Sequence, residues 1–492
     1  MNMTPYLAPL IIRGRVIEAR DVEFGGRNPG TRFWAPDVGR YLDELPLAQP
    51  SALADLYELS FEQILDYLEE LGRRLDLRLN THLQQALELS TKTSGLGEPI
   101  LRAIYENLGA VFNRGEMQQV ADVLIGIPYL EGWVKTRSDA NSTSYVRAFG
   151  ARALHVIAGN VPTISAVTVM RNAITRSDII IKTPSNDPLT ACAIARTMID
   201  MAPDHPITRH LSVGYWKGGD ARIESVLYQP RHIEKIVAWG GMASMTHIRG
   251  YIQPGIDLIT LDPKHSSTII GREAFLDEAR MREVAHRAAL DVAVNNQQAC
   301  LNARVIYIQT GTDPAGLDQA NRFGQLLYEA IQTIPAHLSN PVRALDPALR
   351  EEIEGLRFSG GAYRLFGGDG RGGVIVSQSV EPVEFAPLLA NRVANLVPVD
   401  SLEGPIKAVT AYTQTIGIYP DSLMMELRDR LSFHGAQRLV TLGCATQRTI
   451  AGPQDGVEVM RRLCKWILNE VRNPEQPPPT WLPAETRDDV SA

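Results

Sequence analysis

Residues 154–182 read LHVIAGNVPTISAVTVMRNAITRSDIIIK. Two short apolar runs, LHVIA at 154–158 and DIIIK at 178–182, flank a segment that recurs at helical spacing from Thr163. Strand, helix, strand in that order is the unit of a parallel sheet, because parallel neighbours need a crossover between them. The pattern continues. DIIIK leads to a helix from Asp187, LSV (211–213) to a helix from Asp220, and KIVAW (235–239) to the segment GMASMTHI (241–248). Ligands of such folds gather at the carboxyl ends of the strands. The fold class is therefore α/β.

Moving outward, residues 1–50 mix short apolar pieces with Gly and Pro. SALADLYELSFEQILDYLEELGRRLDL (51–77) then repeats Leu and Ile at helical spacing behind Ser51, read as its N-cap, so the first 140 residues read as predominantly helical. Towards the C-terminus a second domain is expected from near Lys264. It holds a long helix over 273–294, the strand ARVIYI (303–308), a helix near 318–333, and strands TQTIGIY (413–419) and RLVTL (438–442). GVEVMRRLCKWILNEV (456–471) reads as a helix, and the Pro-rich, charged tail from residue 473 as extended or mobile unless another subunit holds it.

A chain of 492 residues exceeds what one core organises, so two or more domains are expected. The formal charge is -7 with both signs interspersed, which points away from nucleic acid and from an anionic membrane surface. No apolar run approaches the roughly 20 residues of a membrane span. The N-terminal stretch lacks the pattern of a signal peptide, and a cytoplasmic location is expected. Cysteines at 192, 300, 444 and 464 show no CxxC pairing. That spacing excludes a disulfide framework and a structural zinc site, leaving free thiols and no metal.

Of the four thiols, Cys192 and Cys464 sit in apolar segments read as helix faces, where cysteine packs as a small hydrophobe. Cys444, in VTLGCATQR, follows a strand and a glycine without amides or bases beside it. Cys300 lies in VNNQQACLNARVIYIQ (294–309), between an amide-rich turn and a strand. Four amides in a row need partners if buried, so they form either an exposed turn or the wall of a site. Cys300 is thus either a nucleophile at a junction or a buried structural cysteine.

NNQQACLNARVIYI is similar to the asparagine-glycine-glutamine-x-cysteine signature of the aldehyde dehydrogenase superfamily, with Gln297 where a glycine is usual. HVIAGNVPTISAV resembles its strand ending in an asparagine before a proline, and DIIIKTPSNDPLTA its strand ending in a cofactor-contacting lysine. IVAWGGMASM resembles the segment with the Rossmann-like glycine, and LITLDPKHSSTII the strand entering the catalytic domain. Within the superfamily, AGNVP, GAQRLVTLG and GPQDG look most like the LuxC-type acyl-CoA reductases, which make aldehydes in bacterial luminescence and related pathways. Gln454 in GPQDG stands where a histidine is expected.

This resemblance implies an aldehyde-dehydrogenase-like fold. Residues 1–140 and 151–263 would form a cofactor domain, 264–443 a catalytic domain, and 141–150 with 444–492 a bridging and C-terminal segment. It implies Cys300 as the nucleophile on a thioester carbonyl, with the Asn160 amide and the Cys300 backbone N–H holding the oxyanion. Lys182 would bond the adenosine ribose, and Gly240 with Gly241 would let the backbone approach the cofactor. Taken alone, Asn160 is equally a turn residue, Lys182 a strand-end charge and Gly240 a tight turn.

Departures from the superfamily sharpen the expectation. Ser185 replaces a glutamate that repels a 2'-phosphate, so NADPH is the expected cofactor and NADH the second choice. Thr260 replaces the glutamate that activates water, and Ser401 a glutamate at the nicotinamide ribose. The expected function is reduction of acyl-CoA or another acyl thioester to the aldehyde. An acyl-transferring or acyl-activating partner protein and a homo-oligomer are further expectations. Two rivals stand beside this: an oxidising aldehyde dehydrogenase, and a non-catalytic subunit of a thioester-handling complex.

Overall fold

The computed structural model describes residues 6–26, 30–138, 142–342, 345–447 and 451–472, and the tail read above as extended lies outside them. Two seven-stranded sheets organise the chain. The first contains β1 (Leu10–Ile12), β2 (Arg15–Ile17), β3 (Arg152–Val156), β4 (Asp178–Lys182), β5 (Leu211–Gly214), β6 (Lys235–Trp239) and β7 (Asp257–Leu261). Its order is β7-β6-β3-β4-β5-β1-β2. Strands β7 to β5 run parallel, and β1 and β2 close the edge antiparallel.

The crossovers are helices α1 (Thr163–Ile174), α2 (Thr190–Met201), α3 (Ala221–Leu227) and α4 (Met242–Arg249). The chain moves outward from β3 through β4 to β5, then returns to place β6 on the other side of β3. That reversal opens a crevice beyond the carboxyl ends of β3 and β6, the usual ligand position in an open parallel sheet.

The second sheet contains β8 (His265–Ile270), β9 (Ala303–Ile308), β10 (Tyr363–Asp369), β11 (Gly372–Ser377), β12 (Val393–Pro398), β13 (Thr413–Tyr419) and β14 (Arg438–Thr441). Its order is β10-β11-β12-β9-β8-β13-β14, parallel except for the β10–β11 hairpin. Helices α5 (Glu278–Ala293) and α6 (Pro314–Thr333) cover it through a core that includes Val284, Ala288, Phe323 and Leu327, all fully buried. A three-stranded sheet of Val134–Ser138, Ser142–Phe149 and Lys465–Arg472 stands apart from both.

Four expectations are corrected. Residues 6–35 contain short strands, and helices dominate only from Pro50 to Glu131. The cap is Ser60, not Ser51: the Ser60 hydroxyl accepts from Gln63 N–H while the Gln63 side chain accepts from Ser60 N–H. Ser51 lies inside a 3-10 helix, Pro50–Tyr57. Helix α2 starts at Thr190 rather than Asp187, because a residue before proline is held out of the helical region, and the Asp187 carboxylate instead accepts from Thr190 N–H. Within 456–471 the helix is confined to Val459–Leu463, and Lys465–Arg472 is a strand paired along its full length with Ser142–Phe149. An available sheet edge overrides the helical spacing there.

Candidate active site

Helix α5 stops at Ala293, and Asn295, Asn296 and Gln297 then take φ of 54, 51 and 60°. Left-handed backbone costs a non-glycine residue about 1–2 kcal/mol. Side-chain amides offset that strain. Asn296 Nδ2 donates to Asn340 Oδ1, and its Oδ1 accepts from Ser339 and from Asn340 N–H. Gln297 Nε2 donates to the Ala303 and Val393 carbonyls, and its Oε1 accepts from Val393 N–H. Asn302 Nδ2 closes the turn onto the Asp291 and Val294 carbonyls. The amides therefore build the turn that presents half-buried Cys300 ahead of β9. Gln297 keeps the left-handed backbone that glycine adopts without strain, and it adds a clamp onto β12.

The first sheet reaches this turn through Asn160. Gly159, at the end of β3, leaves no room for a Cβ, which would stand 2.2 Å from Asn186 Oδ1. Asn186 Nδ2 donates to the Gly159 carbonyl at 2.8 Å, tying the β3 and β4 loops together. Asn160 Nδ2 then donates to the Gln298 carbonyl at 3.1 Å, two residues before Cys300. Asn160 Oδ1 is buried without a partner among the described residues.

Behind Cys300 the ladders of β8 slip. Ser266 pairs with Ala303 but Ser267 with Val305, and on the other side His265 pairs with Thr413 but Ser267 with Ile416. Ser266 Oγ bridges this irregularity, donating to the Cys300 carbonyl at 2.6 Å and accepting from Thr415 N–H at 3.1 Å. Arg304 Nη1 donates to His265 Nδ1 and to the Pro387 carbonyl. Burial pushes the Arg304 guanidinium below its usual range, and the charge of Cys300 acts in the opposite direction.

On the crevice side, Val156, Lys182 and Gly214 lie in one row across β3, β4 and β5. The Lys182 ammonium lies 5.6 Å from the Trp216 ring centroid and 5.9 Å from that of Tyr215. Burial pushes it down to about 8, and Glu224 raises it. Glu224 on α3 is itself buried, accepting from Gly219 N–H and lying 2.6 Å from His247 Nε2 on α4. Ser185 is half-buried on the loop after β4. Gly240 and Gly241 lead from β6 into α4, and a Cβ on Gly241 would meet nothing within 4 Å. A buried ammonium with no hydrogen-bond acceptor among the described residues, beside an open glycine turn, fits a dinucleotide with ribose hydroxyls and phosphates to offer.

The structure thus brings Asn160 and the Cys300 turn together, and places Lys182, Ser185, Gly240 and Gly241 along the carboxyl edge of the first sheet. Thr260 is the last residue but one of β7, paired with Ala238. Ser401 is exposed, and nearby Glu403 pairs with Arg430. Gln454 is buried and accepts from Arg171. Cys192 and Cys464 are buried, each thiol pushed up to about 12, and Cys464 follows a short helix instead of lying on a long one. Cys444 lies in a turn whose flanking Gly443 and Ala445 N–H groups donate to Asp291. Sequence reasoning missed Trp216, Glu224, Ser266 and Arg304. The aromatic pair directly after LSVG was the available signal for the first. Among the described residues no helix is long and apolar enough to cross a membrane, and no cluster of three or more His, Cys, Asp or Glu could hold a metal.

A family model described as acyl-CoA reductase (LuxC) matches residues 56–466. A long-chain acyl-protein thioester reductase of Photorhabdus laumondii is 32% identical over 337 residues, 66% of this chain and 65% of that relative. The chain thus spans less than two thirds of that relative's length. The protein of the same name from Vibrio harveyi is 24% identical over 469 residues, 94% and 93% of the two chains. Solved structures with the same fold include lactaldehyde dehydrogenase from Escherichia coli, with TM-score 0.70 and 15% identity over 95% of this chain and 100% of that one. Another is the P. syringae indole-3-acetaldehyde dehydrogenase AldA, with TM-score 0.73 and 13% identity over 96% and 98%. The architecture is that of the aldehyde dehydrogenases.

Proposed function

The chain belongs to the acyl-CoA reductase (LuxC) family, and from that premise we propose that it reduces an acyl thioester to the aldehyde with NADPH, carrying the acyl group on Cys300. The observation that supports this best is the 3.1 Å bond from the Asn160 amide to the Gln298 carbonyl, which sets an oxyanion donor from one sheet against the thiol turn of the other. The relatives' name, long-chain acyl-protein thioester reductase, supports a long acyl chain and a donor that is either CoA or a protein-bound thioester.

Cys300 sulfur attacks the thioester carbonyl. A new C–S bond forms, the bond to the carrier sulfur breaks, and the carrier thiolate takes up the proton that Cys300 gave away. The acyl group stays a thioester and remains activated. An amide carries two N–H donors, so Asn160 can hold an oxyanion while its bond to the turn persists. With the Cys300 backbone N–H it stabilises the tetrahedral species on acylation and again when the reduced thiohemiacetal collapses to aldehyde and thiolate. Lys182, Ser185, Gly240 and Gly241 hold the NADPH, and the chemistry it supplies when bound is a hydride. The lack of a carboxylate at Ser185 favours a 2'-phosphate. Thr260 offers no carboxylate to activate water, which favours the reductase over an oxidising dehydrogenase.

In this reading the first sheet belongs to the cofactor unit (1–140 and 151–263), the second to the acyl unit (264–443), and the three-stranded sheet to the bridging segment. Exposed Ile467, Leu468 and Val471 on its edge strand support a homo-oligomer. Four cysteines without a disulfide fit the reducing cytoplasm. The acyl-transferring partner protein is part of the same proposal.

The test is mass spectrometry of the chain after exposure to acyl-CoA and to acyl-carrier thioesters, with NADPH consumption followed in parallel. One acyl group should appear on Cys300 and vanish in Cys300→Ala, and Asn160→Ala should slow turnover by about 100 to 1000-fold. Acyl label on Cys444 would overturn the assignment.

A further inference from the structure

The segment GPQDG (452–456) closes a tight turn on itself. Gln454 N–H donates to the Val457 carbonyl, and Val457 N–H donates to the Gln454 carbonyl. Asp455 and Gly456 at its centre take φ of 54 and 73°, the pattern of a type I′ turn, for which Asp-Gly is a favoured pair. The turn thus holds its own shape, and the side chains of Gln454 and Asp455 are left to bond elsewhere.

Those two side chains go to different units. Gln454 Oε1 accepts from Arg171 Nη1 at 2.8 Å, with both residues buried, and Arg171 belongs to α1, which begins three residues after Asn160. Val459 and Met460, just past the turn, share the core that holds Val169 and Met170 of α1. Asp455 Oδ1 accepts from Gln414 Nε2 on β13 of the second sheet. His265 pairs with Thr413 and Ser267 with Ile416, so Gln414 and Thr415 together face Ser266 in a bulge, which re-aims the side chains it carries. From the same bulge Thr415 N–H donates to Ser266 Oγ, which donates to the Cys300 carbonyl. The path closes through the Asn160 bond to the Gln298 carbonyl. A single bond between two units is a pivot: it sets a distance and leaves the angle of approach free. The second attachment, through α1, the turn and the bulge, sets that angle. Placement matters here, because a displacement of about 1 Å at a reacting centre costs on the order of a hundredfold in rate.

We propose that Gln454 and Asp455 are positioning residues that strap α1 to the bulge behind Cys300, and so hold the Asn160 amide at the angle that the acylation oxyanion requires. The inference rests on the reading of Cys300 as the nucleophile and Asn160 as the oxyanion donor. The strap acts through Arg171 and Gln414 and has no part in the bond changes.

The test follows single-turnover acylation of Cys300 by palmitoyl-CoA, using mass spectrometry of the full chain. Iodoacetamide alkylation of the same thiol is the reference, because it develops no oxyanion. Asp455→Gly loses the acceptor but keeps the left-handed backbone without strain, and it should slow acylation roughly tenfold with alkylation unchanged. Asp455→Asn keeps an acceptor oxygen and tolerates the same backbone, so it should restore acylation to within about twofold of the parent. Gln454→Met loses the bond to Arg171 and should match Asp455→Gly. The double variant should be no slower than either single one, since a strap cut at one end is already cut. Parent-rate acylation in Asp455→Gly, equal slowing in Asp455→Asn, multiplied losses in the double variant, or alkylation slowed in step with acylation would each overturn the proposal. If Gln454→Met fails to fold by circular dichroism, the two Asp455 variants with the alkylation reference decide alone. Acylation that survives Cys300→Ala would sink the nucleophile reading and this inference with it, whereas a Cys300-dependent label indifferent to Asp455→Gly sinks the inference alone.

Discussion

Gln297 combines a left-handed backbone with a buried side chain that makes three hydrogen bonds. Gln297→Ala keeps the strain and leaves Val393 N–H unpaired, so it should destabilise by about 2–3 kcal/mol. Gln297→Gly loses the same bonds but relieves the backbone, and should be about 1 kcal/mol less damaging. Thermal midpoints in the order parent, Gly, Ala are expected, and the reverse order of the variants would show that the turn relaxes. Lys182 makes a second prediction. Its pKa of about 8 lies below that of an ordinary lysine, so its charge is present below pH 8 and is lost as pH rises through that value. If NADPH binds the ammonium form, its dissociation constant should rise roughly tenfold from pH 7 to pH 9. Quenching of the neighbouring Trp216 measures this directly, and Lys182→Met should bind weakly with no such dependence.

Elements place the proposed reacting groups where no single segment could. The first sheet brings Asn160, Lys182 and Gly240 together because each lies at or just beyond the carboxyl end of a parallel strand. The second sheet presents Cys300 just ahead of the amino end of β9, beside the irregular ladders of β8. Ser266 spans that irregularity, bonding both the Cys300 carbonyl and Thr415 N–H. Ser266→Ala should therefore loosen the turn and slow acylation about tenfold, the worth of one to one and a half kcal/mol of hydrogen bonding. NADPH affinity, which the proposal assigns to the other sheet, should not move. A parallel loss of cofactor binding would mean that the two sheets respond as one unit.

At the scale of the whole molecule, the edge strand Lys465–Arg472 exposes Ile467, Leu468 and Val471. An exposed apolar edge is a template for pairing with another chain. Light scattering should report an oligomer for the parent, and Leu468→Lys should lower its mass toward 54.2 kDa, the mass of one chain. A parent already monomeric would leave this edge for a different partner.

The α/β class was legible in the alternation of strand runs and helical segments from residue 154 onward, because spacing along a chain is a local property that hydrophobic burial reads directly. Cys300 stood out as a thiol between amides and a strand, and the family likeness proposed roles for Asn160, Lys182, Ser185, Gly240 and Gly241. The capping box at Ser60 is written in the sequence too, in the serine three residues before Gln63. What local spacing could not carry was partnership between distant segments. The stretch after Val459 has helical spacing, yet most of it is a strand because residues 142–149 offer an edge. The four amides read as either an exposed turn or the wall of a site; Asn296 and Gln297 brace the turn against residues 339–340 and 393, which only folding brings near. Arg304 and Ser266 became part of the site through a slip in strand register. Register depends on how two strands pack against each other, and neither strand's sequence states it alone.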